Sequence, residues 1–561
     1  VFLSGMAVGL FLFPHNFAAL SRLAVRSSPL VSMATETSSC DYLVVGAGAS
    51  GMSFVDTLLL HAPEPVSVTL LDKREQPGGH WNDAYDYVTL HQPARNYGVE
   101  STALEAFTQH PEKLASRDEI LDYYRSLLSR WGEAGHRVSF VGGAAYDFGS
   151  ASYVDASGSR VGVDASKVVD ARYTENDLPL LVPPKFSVGD GVDLIPPNQL
   201  PARGAGEGRR YCVLGGGKTG QDAVLFLRQT LGVPLDRIAW VVPHLPWITA
   251  RDPPSPLRQN TCIEFIASAL EAHAAAGSPP SALSSSAFLQ SAFAKLEEEG
   301  KVYRLLPNET PTKFMDATLN RREAELLRES APSVIHGRGR VASLSSTGDL
   351  VFADGSELAL PWANEGGRSA AELTTYVHCT AGAFNFGASA AEGRRPVFSS
   401  EGEITVQELF QFPGFCFNGA VVAWLECQRG LSLAQKNALC ELPPPPEEGE
   451  APPLGPVAGQ VGPLSAGRLP LATPPLLQAP ARTRPRCAHG ARAPIGHPLL
   501  VSLRNLRRWY ATPGMGEWLH GLRLFSLAMN GYSLAEGRAL VEKNCAGLVE
   551  AGLLTPPEEG R

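Results

Sequence analysis

Residues 41–72 read DYLVVGAGASGMSFVDTLLLHAPEPVSVTLLD, and this stretch decides the fold. A short apolar run is followed by Gly46, Gly48 and Gly51 in the spacing G-x-G-x-x-G, then a helix-like run, then a second apolar run ending at Asp72. The order is strand, glycine turn, helix, strand and acid. Glycines at those positions permit a tight turn, close approach of backbone to a pyrophosphate, and close packing of helix on strand. The helix N-terminus then presents free N–H groups and the positive end of its dipole to the phosphates. A carboxylate at the end of the second strand accepts hydrogen bonds from ribose hydroxyls. A glycine turn without a ligand would leave the acid unexplained.

The same order returns at RRYCVLGGGKTGQD, residues 209–222. Gly217-Lys218-Thr219 looks like the end of a nucleoside triphosphate loop, but the glycine such a loop needs five residues before Gly217 is Cys212. Gly215, Gly217 and Gly220 instead fit a second G-x-G-x-x-G, between the strand-like YCVL and a helix-like run. Each module continues into short β-type runs broken by Gly and Ser, over 137–171 and 333–380, which read as β-meanders. The chain therefore repeats one α/β unit in tandem. The fold class expected is α/β, with two Rossmann-like dinucleotide-binding domains, their meanders, and a helical C-terminal segment.

Size and composition agree. At 561 residues the chain is too long for one core. Hydrophobic content of 44% with 19% charged residues suits a globular protein, and a formal charge of -9 disfavours nonspecific nucleic-acid binding. The nine cysteines are scattered and none forms C-x-x-C, which argues against a redox dithiol or a zinc ribbon and for reduced thiols. The apolar run 1–13 ends at Pro14 and is too short to span a bilayer, so no integral membrane span is expected. No acid precedes Glu36, and arginines sit among serines. This composition reads as a targeting segment over 1–38, with a cytoplasmic or organelle location, or else as sequence ahead of a start at Met33.

Residues 76–99, QPGGHWNDAYDYVTLHQPARNYGV, carry a family resemblance. A fingerprint near the domain start, then P-G-G-x-W and Y-x-x-x-x-L-x-x-P, resembles the flavin-containing monooxygenases and their Baeyer–Villiger relatives. The resemblance implies FAD on the first loop and NADPH on the second. It implies FAD contacts at Gly46, Gly48, Ser50, Gly51, Asp72, Lys73, Gly78, Gly79 and Trp81. His91 and Gln92 fall where the family places polar residues near the flavin ring, and are the candidate catalytic pair. Arg95 reads as a surface arginine or a partner for an anion. Gln407 is the expected contact where the chain returns to the FAD domain.

On the second loop the resemblance implies NADPH contacts at Gly215, Gly217, Lys218, Thr219 and Gly220. The strand after it, in DRIAWVVPHLPWITARD, ends without an acid; His244 and Arg251 stand nearby. Lacking that carboxylate, the site does not repel a 2′-phosphate, and a cation attracts one, so NADPH is favoured over NADH. Between the loops, residues 183–201 keep Phe186 and Gly189 but not the histidine of the characterised monooxygenase groups, so the chain is read as a divergent member.

The domains expected are a first FAD part over 39–205, an NAD(P) domain over 206–380, and a second FAD part over 381–440. A Pro-rich linker follows over 441–499, then helices over 500–561. The expected activity is NADPH-driven, FAD-dependent oxidation of a small organic substrate, monooxygenase-like, with no metal. A flavin oxidase or dehydrogenase with a degenerate second loop, or a non-catalytic nucleotide-binding module, stays open as an alternative.

Overall fold

The computed structural model describes residues 36–108, 110, 113–173, 178–206, 208–252, 267, 269–271, 273–277, 286–311, 313–380, 395–410, 415–442, 497–526, 532–550 and 554. The expected targeting segment up to residue 35 and the Pro-rich stretch 443–496 lie outside the described residues.

The first module is built on one sheet. Its order is β19 (Phe398–Ser400), β20 (Glu403–Thr405), β6 (Arg160–Asp170), β1 (Glu36–Val45), β2 (Ser67–Leu71) and β3 (Arg137–Val141). From β20 to β3 all neighbours run parallel. The small strands β4 (Tyr146–Asp147) and β5 (Ser152–Val154) form an antiparallel meander on β6. Val45 is in register with both Leu71 and Asp170, so three strand ends meet where the first glycine loop begins. Ligands of open parallel sheets bind at such carboxyl ends. β1 starts at Glu36, ahead of the boundary expected at 39, because its first residues pair with the start of β6.

The second module repeats the plan. β14 (Val334–His336), β10 (Ile238–Val242), β9 (Arg210–Leu214), β18 (Thr374–His378) and β8 (Asp193–Ile195) form a parallel sheet in that order. Every residue of β10 and β18 is buried, as expected of strands covered on both faces. The meander β17 (Glu357–Leu358), β16 (Leu350–Phe352), β15 (Val341–Leu344) and β7 (Ser187–Val188) stands beside it. A third small sheet joins β12 (Val302–Arg304), β11 (Pro246–Ala250) and β13 (Lys313–Leu319). β7 and β8 join the sheets of the second module, ahead of the boundary expected at 206. These strands of two and three residues are too short to give a periodic signal.

Two helices position the first loop. Ala49–His61 follows the glycines, and Phe415–Cys427 packs along it. They approach closely because Gly419 faces the Ser50 carbonyl with no room for a Cβ. The C-terminal helix His497–Ala511 docks on the same core. Leu503, Leu506 and Trp509 are fully buried, and the Trp509 indole N–H donates to the Leu439 carbonyl at 2.8 Å. Arg504 clasps both carboxylate oxygens of Glu441 from this helix. Among the described residues no helix is long and apolar enough to cross a membrane, and no group of side chains could hold a metal ion.

Candidate cofactor site

The first glycine loop is a tight turn closed by its own backbone. Gly46 has φ +109°, and its N–H donates to the Leu71 carbonyl at 2.7 Å. Gly51 has no space for a Cβ beside the Gly46 carbonyl, which lets the helix start against the strand. Ser50 is buried one residue earlier. Gly78 (φ +118°) donates its N–H to the Ala47 carbonyl at 2.8 Å, and Gly79 (φ +56°) follows in the same left-handed region. A Cβ on Gly79 would stand 2.8 Å from the Gly48 Cα. Two backbone segments without side chains thus face each other at the N-terminus of the helix. Main-chain N–H groups at a helix N-terminus are suited to phosphate groups.

Asp72 differs in its setting from the expectation. It is 5% exposed, and its carboxylate accepts from the Ala47 N–H at 2.7 Å and the Arg74 N–H at 2.9 Å. Burial pushes its pKa up, against the pull of those two N–H groups. A buried carboxylate must collect donors, and this one ties the glycine loop to the end of β2. Lys73, next to it, is exposed. Trp81 is half-buried in a short 3-10 turn and stacks on His80 at 5.3 Å.

His91 and Gln92 are half-buried, and the His91 carbonyl accepts from Arg251 Nε at 2.8 Å. Gln407 follows β20, is 1% exposed, and donates to the Arg395 carbonyl at 2.6 Å. Its Oε1 is buried without a hydrogen-bond partner. Arg95 is half-buried, not a surface arginine, and its carbonyl accepts from the half-buried Arg523 at 2.6 Å.

The second loop has the same construction. Gly215 has φ +127° and its N–H donates to the Val241 carbonyl at 2.9 Å. Gly220 has no space for a Cβ beside the Gly215 carbonyl, and Gly217 caps the helix Lys218–Leu225. Thr219 is half-buried on its first turn. Lys218 is held by Asp222 one turn along.

Arg251 corrects the reading made of it. It follows β11 rather than β10, and its guanidinium bonds the His91 and Thr318 carbonyls and, at 3.0 Å, Glu323. With its side chain 12% exposed, it joins the modules instead of standing free for an anion. His244 is exposed, and its carbonyl borders the glycine loop at Gly216. Lys313 and Arg340 lie close enough to act on it. Although the residue as a whole is exposed, protein packed around the ring displaces part of its solvent, and this first, then the two cations, pushes the His244 pKa down. Burial and Arg340 lower that of Lys313. Three basic side chains thus lie near one another at the end of β10, and among the described residues no carboxylate contributes to either shift.

Lys313 and Arg340 escaped the sequence reading because they come from β13 and from the loop between β14 and β15. Only the pairing of Lys313 with Pro246, and of His336 with Val242, brings those segments to the end of β10. Gly419 was missed because one glycine in an apolar helix carries no sequence signal.

A family model for an NAD(P)-binding Rossmann-like domain matches residues 44–111, the first loop and the segment after it. Uncharacterized protein Rv2000 of Mycobacterium tuberculosis (strain ATCC 25618 / H37Rv) is 32% identical over 422 residues, 73% of this chain and 72% of that protein. The chain belongs to the family of Rv2000. Uncharacterized protein Mb2023 of Mycobacterium bovis matches to the same extent. Among solved structures, a flavin-containing monooxygenase from Stenotrophomonas maltophilia is 17% identical, covering 72% of this chain and 99% of that one, with TM-score 0.37. The open crystal structure of cyclohexanone monooxygenase is 14% identical, covering 70% and 87%, with TM-score 0.43. The Rv2000-family chain described here thus carries two Rossmann-type sheets, each with a glycine loop at its carboxyl edge.

Proposed function

We propose that the protein is an FAD-dependent oxidoreductase reduced by NADPH, with FAD on the first module and NADPH on the second. The observation that carries this reading is the close meeting of the bare glycine turns at Gly48 and Gly79 at the N-terminus of the helix Ala49–His61, where free main-chain N–H groups suit a pyrophosphate. FAD, when bound, supplies acceptance of hydride from NADPH and its onward transfer to oxygen or an organic acceptor.

The chain's own residues would do the holding. Loop N–H groups and the helix dipole take the FAD phosphates, with Ser50 at the first turn and Lys73 at the rim. Asp72 keeps the loop against β2 and has lone pairs left for a ribose hydroxyl. Trp81, His91 and Gln92 would border the ring. On the second module Gly215, Gly217, Thr219 and Gly220 take the NADPH pyrophosphate. His244, Lys313 and Arg340 would receive the 2′-phosphate, since the cations Lys313 and Arg340 lose their mutual repulsion when a phosphate joins them and the His244 imidazole can take up a proton beside it. The outcome we favour is monooxygenase-like oxidation of a small organic substrate.

Heat denaturation of the purified protein is expected to release FAD, identified by chromatography. A protein that carries no flavin, and takes up none when FAD is added, contradicts the assignment.

A further inference from the structure

The segment that leaves the first glycine cradle is strapped to the second module along its length. The Asp83 carbonyl accepts from Asn198 at 3.0 Å. The Tyr85 hydroxyl donates to Asp222 Oδ2 at 2.8 Å. Tyr87 stacks on Phe226 at 4.1 Å, and the His91 carbonyl takes Arg251. Phe226 begins a π-helical turn that continues the helix of the second loop, a distortion that recurs at functional sites. One strap thus joins the FAD cradle, the helix start of the NADPH loop, and the candidate pair His91 and Gln92.

Asp222 is the junction. Its second oxygen holds Lys218, the first residue of the helix whose N-terminus faces the second glycine loop. Both side chains are nearly buried, at 13% and 11% exposed. We propose that Tyr85 and Asp222 are positioning residues, through which filling of the second loop fixes the strap that carries His91 and Gln92. This rests on the function proposed above.

A pyrophosphate at the helix N-terminus draws on the Lys218 cation. Asp222 is then less compensated and becomes a stronger acceptor for the Tyr85 hydroxyl, since hydrogen bonds to an ionised acceptor strengthen with its unbalanced charge. Burial, with Asp222 beside it, holds the Tyr85 phenol well above its ordinary pKa, so it stays a donor. Ligand on one module therefore tightens the placement of a segment that belongs to the other.

The test is hydrogen exchange over residues 84–91 in the FAD-loaded protein, with and without saturating NADP+, beside a separate NADP+ titration. Wild type is expected to gain protection there on binding NADP+. Tyr85→Phe keeps the ring stack and removes the donor. It should lose that gain while NADP+ affinity changes less than about threefold and flavin reduction by NADPH slows about tenfold. Asp222→Asn keeps an acceptor for Tyr85 but releases Lys218, and should lose the NADP+-induced gain as well. Equal protection in wild type and both variants overturns the inference, as does wild type that binds NADP+ without gaining protection. A chain that binds no NADP+ overturns the proposed function along with it. Should Tyr85→Phe fail to hold flavin, the wild-type and Asp222→Asn comparison decides.

Discussion

Gly48 and Gly79 meet backbone to backbone, yet they are not equivalent. A Cβ on Gly79 would stand 2.8 Å from the Gly48 Cα, and its φ of +56° is left-handed. A Cβ on Gly48 would stand 3.5 Å from the Gly79 Cα, an ordinary contact. The fold therefore requires glycine at 79 and tolerates a methyl group at 48. A methyl group at 48 would instead occupy the space assigned to the pyrophosphate.

Gly48→Ala should accordingly leave the flavin-free protein within about 1 kcal/mol of wild type while weakening FAD binding at least about tenfold. Gly79→Ala should destabilise the flavin-free protein by at least about 1–3 kcal/mol, the backbone strain being added to by the clash with the Gly48 Cα. Denaturant unfolding of the flavin-free forms and FAD titration check both. Equal FAD affinity in wild type and Gly48→Ala would show that no phosphate approaches that glycine.

The cations at the end of β10 make a second prediction. Arg340→Glu and Lys313→Glu should each reduce the preference for NADPH over NADH about tenfold or more, because each turns an attraction for the 2′-phosphate into a repulsion. Arg251→Glu should instead affect both coenzymes alike, since Arg251 holds His91 and Glu323. The measurement is the ratio of reduction rates at subsaturating coenzyme. An unchanged ratio in the first two variants removes them from the site.

His244 gives the pH dependence its sign. Burial, Lys313 and Arg340 hold its pKa below the ordinary histidine value, so the free protein keeps it neutral at neutral pH. A bound 2′-phosphate offsets that repulsion and raises the pKa, so binding takes up a proton. NADPH affinity should then rise relative to NADH as pH falls from about 8 to about 6. His244→Asn should flatten this difference, as read by paired titrations of the two coenzymes.

The repeat of strand, glycine turn, helix and strand was legible because both loops combine fixed glycine spacing with a change from β to helical pattern. The structure shows why those glycines must be glycine at Gly46, Gly51, Gly215 and Gly220. The cation set was not legible, since Lys313 and Arg340 lie far from His244 along the chain and meet it only through strand pairing. Arg251 is near the end of β10 in sequence but not in space, because β11 carries it away to His91 and Glu323. Tyr85 lay inside a quoted motif, but its partner Asp222 sits in the other module, and nothing local marks the pair.

The C-terminal helix offers a stability prediction. Trp509 is fully buried among Phe410 and Phe417, with its indole N–H bonded to Leu439. Trp509→Ala should destabilise the protein by about 3–5 kcal/mol, read from denaturant midpoints. A loss below about 1 kcal/mol would mean that the helix does not share the core of the first module.

The most direct test of the central claim is the visible spectrum of the FAD-loaded protein under anaerobic conditions, before and after NADPH. A bound-flavin absorption band is expected, which NADPH bleaches, and bleaches faster than NADH at equal concentration. Protein that shows no flavin band with FAD supplied, or a band that NADPH leaves unchanged, would contradict it.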